Sequence, residues 1–261
     1  MFEVARYQAE RRTLGALALA GGLAAFAALF LAVGPTIVAE ADIGSLVESY
    51  PPALQRAFGL TAFGSFLGLL ATELYQFGWV LLLGVYFAYL GGGAVAGDVE
   101  SGRAEMLLST PLSRARFVVE NYLALAWPMV LVSAVVGAVV AAGAAVVGES
   151  VPLADLLAVH TLGLAYLLAV AALGVCCSAL VDRAAVAQRV AGAAVFGLFV
   201  LDSVVGGTDY DALGALAPSR YYDPTAVLVR GEYDLLGAAG LLLAAAVLVG
   251  GAVVAFRRRD V

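Results

Sequence analysis

The amino-acid sequence predicts an all-α, polytopic membrane protein with six transmembrane helices. Hydrophobic residues make up 63% of the chain, charged residues only 13%, and the mean hydropathy of +0.97 is too high for an ordinary soluble domain. A bilayer core requires about 20 apolar residues per helix. Six continuous stretches meet or approach that length, and they favour helices over the alternating strands of a membrane barrel. They are residues 14–33, 74–96, 122–147, 156–180, 187–205 and 235–256.

Arginine determines the predicted orientation, because the chain contains no lysine. If the N-terminus is inside, eleven of the fourteen arginines face the cytoplasm, as the positive-inside rule favours. Only Arg56, Arg220 and Arg230 then lie outside, among acidic residues. We therefore expect a multi-pass protein of the plasma membrane with both termini in the cytoplasm. Arginine without lysine and acidic external loops also indicate a salt-adapted microbe, which we expect to be an archaeon.

The predicted organisation is an amphipathic interfacial helix at residues 1–12 followed by one six-span transmembrane domain at 13–261. External loops are expected at residues 34–73 and 206–234. The first loop contains an amphipathic stretch at 53–58, and the second a short interfacial helix at 225–229. Gly93 and Gly97 are spaced as a small-residue packing surface between membrane helices.

A polar segment at residues 97–116, called the elbow below, separates the second and third spans. It is too polar for lipid and too short to fold alone, so its Leu107 and Leu108 are expected to need the surface of a partner protein. Residues 98–108 predict one helix of about three turns. Pro111 ends that helix, and Ser113 is placed to cap the next one.

The elbow resembles the cytoplasmic loop between spans two and three of ABC-2 transporter permeases, including their NosY-like branch. The resemblance rests on an acidic and glycine-containing first half and a Leu-Leu-Ser-x-Pro-x-Ser-Arg second half. The matching residues are Asp98, Glu100, Gly102, Leu107, Leu108, Ser109, Pro111, Ser113 and Arg114. Arg103 departs from the family, which usually has a small hydroxyl residue there. A basic start, six spans and a Pro-x-x-Tyr-Tyr-Asp-Pro segment at 218–224 extend the resemblance over the chain.

The resemblance implies that the elbow is a coupling helix, which docks on a separate ATP-hydrolysing subunit, and that two permeases form an export path. The implied docking residues are Asp98, Glu100, Gly102, Arg103, Glu105, Leu107, Leu108, Ser109, Pro111, Ser113 and Arg114. A chain without lysine cannot supply the lysine of a phosphate-binding P-loop. We therefore expect a transport subunit that is not an enzyme and holds no cofactor, with ATP and Mg bound by the partner ATPase. The other expected partners are a second copy or a sister permease and the bilayer; no nucleic acid is expected.

Several residues keep two interpretations at this stage. The inner turn with Asp182, Arg183 and Arg189 is either a second ATPase contact or a plain topological loop. Glu120 and Asn121 either orient the elbow by hydrogen bonds or mark the membrane interface. An elbow that is only a solvated loop is the corresponding alternative for the docking prediction.

Two other function classes are compatible with the composition. An ion-coupled secondary transporter would use intramembrane carboxylates such as Asp202 and Glu73, although water at the outer interface is the favoured surrounding for both. A membrane anchor without a transport role is the other. His160 is the only histidine and is expected at the interface, and the adjacent Cys176 and Cys177 cannot form a disulfide scaffold. The apolar spans predict no particular substrate.

Overall fold

The computed structural model describes residues 3–40, 50–51, 54–55 and 64–259, and in these ranges the chain forms helices and no β-strand. Six of the helices are long and apolar enough to cross a membrane, which confirms the predicted fold class at that level. In chain order the α-helices are α1 (Glu3–Glu40), α2 (Phe66–Gly92), α3 (Ala96–Glu100), α4 (Arg103–Leu108), α5 (Arg114–Val147), α6 (Leu153–Leu180), α7 (Ala184–Val205) and α8 (Leu235–Arg257).

The first helix differs from the sequence prediction at both ends. Its polar start is not a separate interfacial element, because α1 runs without a break from Glu3 to Glu40 and includes Pro35. Thirty-eight residues at about 1.5 Å each span about 57 Å, so α1 extends well beyond a bilayer core of about 30 Å. A proline interrupts only one backbone hydrogen bond, and an apolar run on both sides can continue through it.

The helix ends fix the bounds of the two loops that are predicted to be external. The predicted first loop of 34–73 is too long, since α1 ends at Glu40 and α2 begins at Phe66, with Ser65 capping its start. The predicted amphipathic stretch at 53–58 lies largely outside the described residues. The second loop has the predicted bounds of 206–234, and a single π-helical turn at Ala226–Arg230 confirms the short helix expected there.

Helix α6 lies at the centre of the bundle, where it packs against α2, α7 and α8, while α1 packs along α5. The second span supplies large core side chains, including Trp79 and Phe87, both fully buried. Its hydrogen bonding is π-helical over Ala71–Leu83. Tyr166 of α6 donates to the carbonyl of Val80 in that segment at 2.8 Å, which fixes α2 against the central helix.

Glycines allow α2 and α6 to approach until their backbones touch. A Cβ on Gly91 would lie 2.4 Å from the Ala171 carbonyl oxygen, and one on Gly174 would lie 2.2 Å from that of Ala88. Without a hydrophobic effect between helices in lipid, such close contact is a main source of association. The packing surface predicted for Gly93 and Gly97 together is seen only in part: Gly93, after the end of α2, lies against Gln188, whereas Gly97 in α3 has only a loose neighbour at 3.9 Å.

Both described ends of the chain lie at the same end of the bundle as the elbow. The start of α1 contacts Glu120 at the base of α5, and Arg259 after α8 contacts Asp182 between α6 and α7. The eleven arginines predicted for the cytoplasmic side all belong to elements at this end. Arg220 and Arg230 lie at the opposite end, and Arg56 is outside the described residues.

The contact between α2 and α6 makes a testable prediction. Gly174→Ala should lower the free energy of unfolding by about 1–3 kcal/mol, because the added methyl group meets backbone that cannot move aside. Thermal unfolding of the purified protein in lipid nanodiscs measures the effect. Gly250→Ala is the matched control, since a Cβ there has no neighbour within 4 Å. Equal melting temperatures for the two variants would contradict the role assigned to Gly174.

Candidate functional site

The elbow consists of two short helices, where the sequence predicts one. Helix α3 ends at Glu100, α4 begins at Arg103, and Gly102 between them has a φ of +72°. This left-handed conformation is readily adopted only by glycine, so the conformational freedom of Gly102 interrupts the helix. Gly102 therefore forms the turn between α3 and α4. Asp98 and Glu105 consequently lie on different helices.

Asp98 points into the chain and does not face solvent. Its side chain is only 3% exposed and accepts from Arg103 Nε at 2.8 Å and from Gln8 Nε2 at 2.8 Å. A buried carboxylate is costly unless it is paired and hydrogen bonded. Arg103 and Gln8 each donate to one of the two Asp98 oxygens, so both oxygens have a partner. Arg103, the departure from the family pattern, is thus the partner of Asp98, and together they join the elbow to α1.

Glu100 and Ser178 join α3, the first helix of the elbow, to α7 and α6. The carboxylate of Glu100 accepts from the backbone N–H of Ala184 at 3.0 Å, where α7 begins. That contact suits a helix start, which has unpaired N–H groups and a positive end. Ser178 of α6 accepts from the N–H groups of Val95 and Ala96, at 3.0 and 2.8 Å, where α3 begins.

The base of α5 is fixed in two ways. Ser113 caps the helix as predicted, and its hydroxyl accepts from the N–H of Arg116 at 3.2 Å. Glu120 is fully buried and accepts from the N–H groups of Val4 and Ala5 at 2.9 and 3.1 Å. Glu120 also pairs with Arg116 at 2.5 Å. Glu120 therefore makes hydrogen bonds, as one of its two interpretations expects. Its partners are the start of α1 and Arg116 at the end of the elbow.

Arg114 and the inner turn take part in a network with the end of α8. Arg114 donates to the carbonyl oxygens of Phe256 and Arg259, and Arg259 in turn contacts Asp182 and the Ala179 carbonyl. Cations at helix C-termini satisfy the last carbonyl groups. Arg183 and Arg189, by contrast, are exposed. A second ATPase contact at this turn stays a prediction.

The outward face of α4 and of the turn after it is not formed by Leu107 and Leu108, the two residues expected there. Leu107 and Leu108 are half-buried and pack against the chain's own core, so part of each side chain is covered without a partner, and docking by either residue stays a prediction. The exposed residues form what we call the elbow face: Glu105, Met106, Ser109, Thr110 and Pro111. Met106 is 67% exposed, the largest apolar surface of the elbow. Helical periodicity could have identified it, since buried Ala104 shares a face with Leu107 and Leu108 but not with Met106.

An open groove of about 540 Å³ lies beside the elbow face. The first turns of α1 contribute Val4 and Tyr7, and the elbow contributes Leu107, Thr110 and Pro111 to it. The groove and the elbow face together give this end of the bundle a surface with both apolar and hydrogen-bonding groups. Such a mixed surface suits protein docking.

Asp202 and Glu73, the carboxylates that an ion-coupled secondary transporter would use, lie at the opposite end of the bundle from the elbow. Asp202 is 22% exposed, lies 3.6 Å from Arg220 and accepts from the Ser219 hydroxyl at 3.3 Å. Arg220 also pairs with Asp211, and this hydrogen bond raises the pKa of Arg220 above its usual value. Glu73 is half-buried in α2. Both acids were expected to be surrounded by water, but each is only partly exposed. Asp202 in addition forms an ion pair with Arg220.

His160 lies inside the bundle, which corrects the expectation of an interfacial residue. Only 8% of it is exposed, and its Nε2 lies 3.1 Å from the Tyr75 hydroxyl, with the Trp79 ring in edge contact. Among the described residues, no group of three or more His, Cys, Asp or Glu side chains could hold a metal ion.

Comparison with known proteins agrees with this architecture. No curated protein matches the chain. A model of the ABC-2 family transporter proteins matches residues 59–256. This range includes the elbow, nearly all of the five spans α2, α5, α6, α7 and α8, and the ion pairs of Asp98 with Arg103 and of Asp202 with Arg220. The match extends over most of the chain, and the chain belongs to the ABC-2 family of transporter proteins, as a membrane permease component of an ABC transporter.

Proposed function

We propose that this chain is the permease subunit of an ABC exporter, driven by a separate cytoplasmic ATPase that docks on the elbow face. The observation that carries the proposal is the two-sided elbow. Its outer side exposes Met106 and Glu105, while its inner side is hydrogen bonded to other helices through Asp98 and Glu100. A partner that displaces the elbow would therefore move those helices with it.

The hydrogen bonds specify which helices would move. Asp98 connects the elbow to α1 through Gln8, Glu100 connects it to α7 through Ala184, and Ser178 connects it to α6. Closure of two ATPase subunits on ATP would displace the elbow and shift these helix ends together. In this proposal the ATPase binds, within the elbow, only the residues of the elbow face. Asp98, Arg103, Ser113 and Arg114, which were expected to dock as well, transmit the movement instead. Asp182, Arg183 and Arg189 remain a second, smaller contact surface in this proposal.

The remaining features of the assembly follow from the same arrangement. The eleven arginines at the elbow end favour its placement in the cytoplasm, with both chain ends beside it, in the plasma membrane. The translocation path would lie between this permease and a second copy or a sister permease, with ATP and Mg bound by the ATPases. Membership of the NosY-like branch and an archaeal origin stay predictions. The ion pair of Asp202 with Arg220 supports structural anchoring more than ion coupling, so the secondary-transporter alternative is not favoured.

The docking surface is tested by Met106→Glu. Buried against a partner, a methionine side chain contributes about 1.5–3 kcal/mol, so the variant should retain the ATPase at least about tenfold more weakly. Affinity purification of the permease from cells that co-express the ABC ATPases of the same organism, followed by quantification of the bound ATPase, measures this effect. Leu153→Glu is the matched control, because Leu153 has the same 67% exposure but lies at the opposite end of the bundle. Full ATPase retention by Met106→Glu would contradict the proposal.

Docking and transmission can be separated with two glutamates. Glu105→Ala should weaken ATPase binding, since Glu105 is on the elbow face. Glu100→Ala removes the acceptor for the Ala184 N–H and should leave binding intact while lowering permease-stimulated ATP turnover severalfold. Turnover at saturating ATPase in nanodiscs and the binding assay above give the two values. If Glu100→Ala instead lost binding and turnover together, the assigned transmission role would be wrong.

A further inference from the structure

A small cavity at the elbow end of the bundle is lined mainly by arginine. It has a volume of about 170 Å³ and lies between the first turns of α1 and the segment that leads from α2 to α4. Its lining consists of Gln8, Arg11, Arg12, Gly93, Ala94, Asp98 and Arg103.

The positive charge of the cavity is only partly compensated. Asp98 is its one carboxylate, and both oxygens of Asp98 are already used by Arg103 and Gln8. Within the described part of the chain, neither Arg11 nor Arg12 has a carboxylate oxygen close enough to form an ion pair. Arg11 instead lies over the ring of Tyr7, 5.7 Å from its centroid. The cavity therefore carries two positive charges more than its own carboxylate neutralises.

Arg12 has a buried donor without an acceptor. Its Nη1 atom is inaccessible to solvent and makes no hydrogen bond within the residues that the structure describes. Buried guanidinium groups are normally paired, because an unsatisfied charged donor loses its hydration without compensation. Arg12, which lines the cavity, thus has a donor without an acceptor, and with Arg11 it contributes two positive charges that no ion pair among the described residues compensates. These are the elements of an anion site.

We propose that this cavity binds a phosphate-bearing anion through Arg12, with Arg11 at its rim. Arginine forks fit phosphate oxygens and pair with them in bidentate geometry. The apolar run of α1 begins at Leu14, so the cavity lies at the level of the lipid headgroups. Basic pockets between membrane helices on the cytoplasmic side bind acidic headgroups. The site thus fits the headgroup of an acidic phospholipid or a free phosphate, and an occupant would lie directly beside the contact of Asp98 with Gln8.

The inference depends on the cytoplasmic placement in the proposed function but not on ATPase docking, so the two can fail separately. Its test uses the full chain in nanodiscs of phosphatidylcholine, with or without phosphatidylglycerol, and with inorganic phosphate added to the phosphatidylcholine discs in a third arm. Melting temperature and the number of phosphatidylglycerol molecules retained in native mass spectrometry are measured. Phosphatidylglycerol should raise the melting temperature of the wild type, and Arg12→Gln should weaken its binding about tenfold.

The control Arg6→Gln makes the same charge change on the same helix at an exposed residue that pairs with Glu10, and should behave as the wild type. Arg11→Gln should give a smaller loss, and it keeps the test valid if Arg12→Gln does not fold. Stabilisation by inorganic phosphate alone, lost in Arg12→Gln, would support the site and identify free phosphate as the source. Equal binding by Arg6→Gln and Arg12→Gln, or no gain from either anion, would overturn the proposal.

Discussion

Buried carboxylates at one end of the bundle hold the functional segment in place. Asp98 and Glu120 are nearly or fully inaccessible to solvent, and each accepts hydrogen bonds from the first turns of α1 as well as from an arginine. A buried carboxylate that loses a partner is destabilising by several kcal/mol, so these contacts leave few alternatives for the position of α1 relative to the elbow. The same contacts give any force on the elbow a direct route to the first span.

The glycine contacts of α2 supply the complementary constraint. Because Gly91 and Gly174 bring the backbones of α2 and α6 into contact, the two central helices cannot slide past each other without steric overlap. The helices held by polar contacts, α1 and α7, pack outside this rigid pair. The bundle thus combines a close-packed centre with peripheral helices whose inner ends are attached to the elbow, which is a suitable arrangement for movement around a fixed core.

In the elbow, the sequence predicts the local features correctly. The helix ends before Pro111 and Ser113 caps the next one, because a proline end and a serine cap depend on only a few neighbouring residues. The single helix of 98–108 was wrong because the positive φ of Gly102 interrupts it, and glycine permits that conformation without requiring it. The motif draws attention to Leu107 and Leu108 as docking residues, yet the chain's own core covers part of each, and Met106 is the more exposed side chain.

The sequence by itself determined the number of candidate spans, the bounds of the loop at residues 206–234, the collection of arginines at one end and the family motif in the elbow. These properties follow from composition and short-range pattern, because a bilayer admits apolar helices of nearly fixed length. Tertiary structure alone decided that Asp98 pairs with Gln8, that Glu100 caps α7 and that Arg11 and Arg12 line a common cavity. The first two contacts join residues that are 90 and 84 positions apart, and only the packing of the helices brings them within hydrogen-bond distance.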